Sequence, residues 1–187
     1  SKHNISLSPT FGMGKVEGAL LDTLAFQSHR YPDVDMPYLL NQIVGWQTAK
    51  AKLPTWAANE DIIYPPHLSM EQCSSEQTAD YKLQLAARLL TTATGVNDAS
   101  HALSQIVPGS LLVDLTGGFG VDFSFISRCF ERAVYVEQQE KLCEVAQHNF
   151  QVLGLSQGEV VHADSTEYLH SLSHATLIYL DPARRNE

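Results

Sequence analysis

Leu111-Leu112-Val113-Asp114-Leu115-Thr116-Gly117-Gly118-Phe119-Gly120-Val121-Asp122 runs from an apolar strand pattern into a carboxylate and then turns through three glycines. A helical pattern follows from near Phe123. In the order strand, glycine-rich turn, helix, backbone N–H groups and a helix N-terminus face a ligand at the strand's carboxyl end. Glycine suits such a turn because a side chain would hold a ligand away from the backbone. The same order also closes ordinary strand–helix units, so the neighbouring segments carry the weight.

Three later segments repeat the device. Ala133-Val134-Tyr135-Val136-Glu137 is a second apolar strand ending in an acid, about 20 residues beyond the glycine turn, where a Rossmann unit places the carboxylate that grips a ribose diol. Val160-Val161-His162-Ala163-Asp164 is a third, and Thr176-Leu177-Ile178-Tyr179-Leu180-Asp181-Pro182-Ala183-Arg184 a fourth. Gln139 to Leu153 is an amphipathic helix with Leu142, Val145, Ala146, Phe150 and Leu153 on one face, and Gly154 closes it. Thr166 to Leu172 reads as a short helix. Strand–helix alternation of this kind implies a parallel sheet with a ligand crevice at the strands' carboxyl ends.

Residues 71–187 resemble a class I S-adenosylmethionine-dependent methyltransferase. Asp114-Leu-Thr-Gly-Gly-Phe-Gly is similar to that family's first motif, with Thr116 where glycine is commoner. The resemblance implies a cofactor site of Asp114, Thr116, Gly117, Gly118, Gly120, Glu137, Gln138, Asp164, Ser165 and Asp181. Glu137 takes the part of the ribose acid, Asp164 that of the adenine contact. Asp114 either holds the loop or meets the methionine ammonium. Asp181-Pro182-Ala183-Arg184 resembles the Asp-Pro-Pro-Tyr/Arg motif of enzymes that methylate ring or exocyclic nitrogens, often on nucleic acid, and these four are the candidate catalytic residues. Ala183 replaces the second proline. Arg184 stands where an aromatic usually stacks on the base; a guanidinium can stack, bind phosphate, or form with Arg185 a plain solvated pair.

Lys52-Leu-Pro-Thr-Trp, Ile63-Tyr-Pro-Pro and Ser69-Met-Glu-Gln-Cys-Ser-Ser-Glu extend the likeness to a bacterial methyltransferase group with a helical leader and a THUMP-like segment after the catalytic domain. The expected fold is therefore α/β: a Rossmann-like class I methyltransferase sheet, cut after its fourth strand, behind a small α-helical domain. Residues 1–66 form the helical domain and 67–187 the S-adenosylmethionine-binding one. A sheet of this class has about seven strands, so the chain reads as a piece whose acceptor-binding part follows Glu187. Its unpaired edge invites self-association.

In the leader, Ser1 to Gly14 reads as a mobile lead and Val16 to Leu21 as a short helix. Asp22 caps a turn or two ended by Tyr31-Pro32. Asp35 caps a helix with Leu39, Leu40, Ile43, Val44 and Trp46 on one face; Lys50 and Lys52 suit its last turn, and Pro54 stops it. Trp46 and Trp56 read as core. Ser74 and Gln77 make a capping box opening a helix over 76–92, on which Tyr81, Leu85, Arg88 and Leu89 recur. Ser74, Ser75 and Thr78 also offer hydroxyls to the cofactor carboxylate. Asn97 or Asp98 caps a helix to about Val107, and Pro108-Gly109 turns into the first strand.

Composition bounds the rest. Hydrophobic residues make up 44% and charged ones 18%, the balance of a folded globule. No apolar run approaches the roughly 20 residues a membrane helix needs. Cys73, Cys129 and Cys143 form neither a disulfide framework nor a zinc pattern, which suits a reducing cytoplasm. His170 and His174 lack a third ligand, so no metal is expected. The reading for function is N-methylation of an RNA base, in tRNA or rRNA, with S-adenosylmethionine. A protein or small-molecule acceptor is the alternative, as is a non-catalytic cofactor-binding module. The net charge of −9 speaks against this chain alone gripping a nucleic-acid backbone.

Overall fold

The four apolar runs become four parallel strands: β1 (Val107–Asp114), β2 (Phe130–Glu137), β3 (Gly158–His162) and β4 (Leu177–Tyr179), in the order β3-β2-β1-β4. The computed structural model describes residues 23, 25–94 and 106–182. The central strands lie under helices on both faces, which is why they read as continuous apolar runs. Leu112, Ala133 and Tyr135 face one side, with Phe123 and Ile126 of α5 (Val121–Ile126) and Ala146 and Phe150 of α6 (Glu140–Val152). Val113, Val134 and Val136 face the other, against Tyr168 of α7 (Ser165–Ser171) and Leu172. From β1 the chain steps outward through β2 to β3, then returns to the opposite side of β1 as β4. That reversal opens a crevice between the carboxyl ends of β1 and β4.

Helix starts depart from the expected ones for local reasons. Val107 already pairs with Phe130, and Pro108-Gly109 lies inside β1 at an irregularity before Leu111, not in a turn ahead of it. Proline has no N–H to lose there, and Gly109 takes φ 73. Helix α5 begins at Val121 because Gly120, at φ 82, caps it. It ends at Ile126, followed by the 3-10 turn Ser127–Cys129. Since Val121 and Phe123 to Ile126 are all buried, no apolar period marks its ends. The expectations at 1–22 and for a helix capped by Asn97 or Asp98 fall outside the described residues.

The leader supplies α1 (Met36–Lys52), α2 (Pro54–Ala57), α3 (His67–Gln72) and, ahead of β1, α4 (Glu76–Thr94). Asp35 caps α1, accepting from the Tyr38 N–H at 3.0 Å. The deeply buried residues of α1 are Met36, Gly45 and Ala49; Leu39, Leu40, Ile43 and Val44 are only partly covered. Small residues face inward because Tyr64 presses on the helix backbone: a Cβ on Gly45 would overlap Tyr64 Cβ. On α4 the inward face is Ala79, Leu83, Ala86, Ala87 and Leu90, while Tyr81, Leu85 and Leu89 are exposed. Alanines let α4 approach α5 closely, and that outweighs the larger stripe.

The helices before residue 67 share their core with the sheet. Trp56 is buried edge-on against Phe119 with ring centroids 4.9 Å apart. Trp46 is half-buried, donating to the Ala57 carbonyl. The extended connector at Ile63 exchanges two hydrogen bonds with the buried Asn149 side chain on α6, at 2.9 and 2.8 Å. Glu76 reaches back to cap α2, accepting from the Thr55 N–H and hydroxyl, both at 2.7 Å, and from the Trp56 N–H at 3.2 Å. Leu53, at the N-cap position, has no side chain that can do this. Glu76→Ala is therefore expected to cost about 1 kcal/mol of stability, the usual loss of a cap. Urea unfolding measures it, and an unmoved midpoint would show that this half-buried carboxylate contributes nothing.

Candidate functional site

Where β1 ends, Asp114 is almost wholly buried, and its Oδ1 accepts from the Thr116 N–H at 2.9 Å, the Thr116 hydroxyl at 3.0 Å and the Gly117 N–H at 3.2 Å. The carboxylate thus folds the turn back over itself. Gly117 takes φ 37, and a Cβ there would stand 2.7 Å from the Val136 carbonyl oxygen and 2.9 Å from Glu137 Oε2. The loop can rest on the end of β2 only without a side chain. Glu137 holds it from that side: Oε2 accepts from the Gly118 N–H at 2.9 Å and Oε1 from the Gln139 N–H at 2.7 Å. Above the loop lies a cleft of about 390 Å³.

The cleft wall brings together most of the expected residues: Ser74, Asp114, Thr116, Gly117, Gly118, Gly120, Glu137, Gln138, Ser165, Asp181 and Pro182. Three lie off it. Ser75, not Ser74, caps α4, its Oγ accepting from the Thr78 N–H at 3.2 Å and meeting the Thr78 hydroxyl at 3.0 Å. Both hydroxyls are used in that turn, and the Ser74 hydroxyl points inward to Asp122 Oδ2 at 3.0 Å. Asp164 is exposed and caps α7, Oδ1 accepting from the Thr166 and Glu167 N–H groups at 2.8 and 3.0 Å; only its neighbours Ala163 and Ser165 reach the wall. Ala183 and Arg184 lie outside the described residues.

At the crevice the structure also assembles a cluster that the sequence does not announce. The Lys82 ammonium stands 2.8 Å from Asp122 Oδ2, 3.0 Å from Asp181 Oδ2, 2.7 Å from Tyr179 Oη and 3.0 Å from Ser74 Oγ. Tyr179 Oη lies 2.9 Å from Asp122 Oδ2 and 3.2 Å from Asp181 Oδ2. Burial works against the Lys82 charge, but its bonds to Asp122 and Asp181 outweigh that and hold its pKa above the usual lysine value. Tyr179 has a signal in hindsight: it precedes Asp181 by two residues, so an extended chain turns both the same way. Lys82 has none. A third contact completes the joint, for the Thr116 hydroxyl that donates to Asp114 also accepts from the Asp181 N–H at 2.9 Å.

Burial raises the Asp114 pKa to about 7, against the lowering effect of the bonds from Thr116 and Gly117. Between pH 4 and 7 the folded state keeps a proton that the unfolded chain releases, so the contribution of this group falls as pH rises through that window. Asp114→Asn has no such proton. Its melting temperature, relative to the unsubstituted protein, is expected to improve from pH 5 to pH 8, as thermal unfolding at the two values would show. A constant gap would mean that Asp114 is ionised throughout.

Residues 97–186 match the family model described as conserved hypothetical protein 95. No curated protein matches the chain. Among solved structures it is similar to one from Porphyromonas gingivalis W83 named "putative methyltransferase", at 24% identity and a TM-score of 0.56, over 83% of this chain and 38% of that one. An O-methyltransferase from Bacillus cereus, solved in complex with SAH, matches at 19% identity and a TM-score of 0.37, over 81% of this chain and 56% of that one, too remote to argue from. This chain thus spans well under half the length of the Porphyromonas structure. Strand order, glycine turn and the Porphyromonas likeness together identify the fold as a Rossmann-like parallel α/β sheet, with helices ahead of it.

Proposed function

We propose that this chain forms the cofactor-binding part of an S-adenosylmethionine-dependent methyltransferase whose acceptor is a nitrogen of an RNA base. The observation that carries the cofactor is the charge around the glycine turn. Asp122 stands in the first turn of α5, where a Rossmann dinucleotide site sets its pyrophosphate on the helix N-terminus. A carboxylate there repels phosphate. Glu137 and Asp181 add two more carboxylates to the wall, Asp114 a third above about pH 7, and Lys82 is already shared between Asp122 and Asp181. Such a cleft suits a ligand with a sulfonium and an ammonium, and its volume falls in the range of small-molecule sites.

The glycine cradle fits that ligand: Gly117 and Gly118 expose backbone to the cleft, and Glu137 has acceptor capacity left for two ribose hydroxyls. Held by Gly117, Gly118 and Glu137, S-adenosylmethionine would supply an activated methyl group, whose transfer to nitrogen would return the carbon–sulfur electron pair to sulfur. Asp181 accepts a hydrogen bond from the attacking nitrogen and takes the proton released, and the Pro182 carbonyl accepts a second. An amino group conjugated to a ring is a weak nucleophile, and two acceptors favour the tetrahedral geometry from which it attacks. Ionised Asp114 favours the cationic ligand.

The acceptor rests on Asp181-Pro182 and on the family resemblance. The net charge of −9 supports a second reading, a protein or small-molecule acceptor. No helix among the described residues is long and apolar enough to cross a membrane. Calorimetry against S-adenosylmethionine and a nicotinamide dinucleotide tests the cofactor: binding of the dinucleotide in preference would overturn this reading. Labelling of protein or metabolites, with none of RNA, would favour the second acceptor.

A further inference from the structure

We propose that Lys82 and Tyr179 are positioning residues that set the Asp181 carboxylate for the acceptor. Asp181 leaves β4 at the crevice with its side chain 58% exposed, and an exposed aspartate ordinarily samples several rotamers. Here three contacts restrain it. The Thr116 hydroxyl holds its backbone N–H at 2.9 Å, while the Lys82 ammonium and the Tyr179 hydroxyl both meet Oδ2, at 3.0 and 3.2 Å. Oδ1 is the oxygen left to a ligand. The support is itself held: Lys82 donates to Asp122 Oδ2 on the buried side at 2.8 Å, and the one Tyr179 hydroxyl proton is shared between Asp122 Oδ2 at 2.9 Å and Asp181 Oδ2 at 3.2 Å. Asp122 in turn lies at the start of the helix that the glycine loop leads into. One cluster therefore ties three elements: α4, the first turn of α5 and the end of β4.

Two consequences follow from this geometry. A carboxylate with one oxygen fixed offers a single directed acceptor, which suits an N–H of an uncharged amino group or ring. The ammonium beside it also offsets the charge that would otherwise draw in a protonated amine, which has no lone pair to methylate. Lys82 and Tyr179 act through Asp181 and touch no reacting atom.

The inference rests on the reading of Asp181 as the acceptor-facing residue, so the test separates the two. Crystal structures of the intact protein with S-adenosylhomocysteine are compared for the wild type, Lys82→Met, Lys82→Arg and Tyr179→Phe. Asp181 is expected in one orientation in the wild type, in several in Lys82→Met, and again in one in Lys82→Arg. Single-turnover methyl transfer to RNA should fall about tenfold in Lys82→Met, short of the 10²-fold that a full ångström of misplacement costs. Cofactor affinity should hold, and Lys82→Arg should recover part of the rate. An unmoved Asp181 in Lys82→Met overturns the inference, as does wild-type transfer by that variant. Should the loss of Lys82 leave Asp122 unpaired and the chain unfolded, Tyr179→Phe, which removes one hydroxyl, decides on the same readouts. Failure of the wild type to label RNA would count against the acceptor alone, because the Asp181 orientations still decide the positioning role.

Discussion

Under the proposed function, Asp181→Ala in the full-length protein is expected to reduce methyl transfer by about 10²–10³-fold while leaving S-adenosylmethionine affinity close to that of the wild type. Loss of one preorganised partner of the transition state typically has that effect on rate. The structure gives reason to expect a folded variant. Thr116 holds the backbone N–H of Asp181, which alanine keeps, and Lys82 retains Asp122 and Tyr179 as partners. The measurement is single-turnover transfer of labelled methyl from S-adenosylmethionine to total RNA from cells lacking the enzyme, with calorimetry of the cofactor alongside. Transfer at the wild-type rate would make the Asp-Pro turn structural and remove the nitrogen mechanism. A parallel loss of cofactor affinity would instead place Asp181 in the cofactor's own site.

Glu137→Gln is expected to weaken cofactor binding about 10- to 150-fold, from the roughly 1.5–3 kcal/mol that a charged hydrogen-bond partner contributes. The structure adds a second effect, on stability. Both oxygens of Glu137 already accept backbone hydrogens, from Gly118 and Gln139. A glutamine amide has one acceptor oxygen, so its NH₂ group must face one of those N–H donors, loosening the loop. Calorimetry and urea unfolding on the same variant separate the two. Lower stability with unchanged affinity would leave Glu137 as a brace for the glycine turn, and no part of the ligand site.

Both predictions depend on residues that the sequence already singles out, because each ends an apolar run and so lies at the same sheet edge. The apolar period, the glycines and the acids are local signals, each legible within about ten residues. Asp164 shows where such a signal carries two readings. It ends its run as Asp114 and Glu137 do, and its Oδ1 accepts from the first N–H groups of α7. An acid before a helix is an N-cap as readily as a ligand contact, and only the position of the helix start separates the two. Ser74 and Ser75 differ in the same way: adjacent hydroxyls, of which one caps α4 and the other turns to Asp122.

By itself, then, the chain's sequence determined the alternation of strands and helices, the parallel order this implies, the glycine turn and the acids at its rim. It did so because turn chemistry and burial period act between near neighbours along the chain. Tertiary structure alone decided that Lys82 joins Asp122 and Asp181, 40 and 99 residues away, and that Thr116 reaches Asp181 across 65. No period or motif spans such distances. They close only when β4 returns beside β1 and α4 packs on α5, bringing one lysine, one tyrosine and two aspartates to a single point of the crevice.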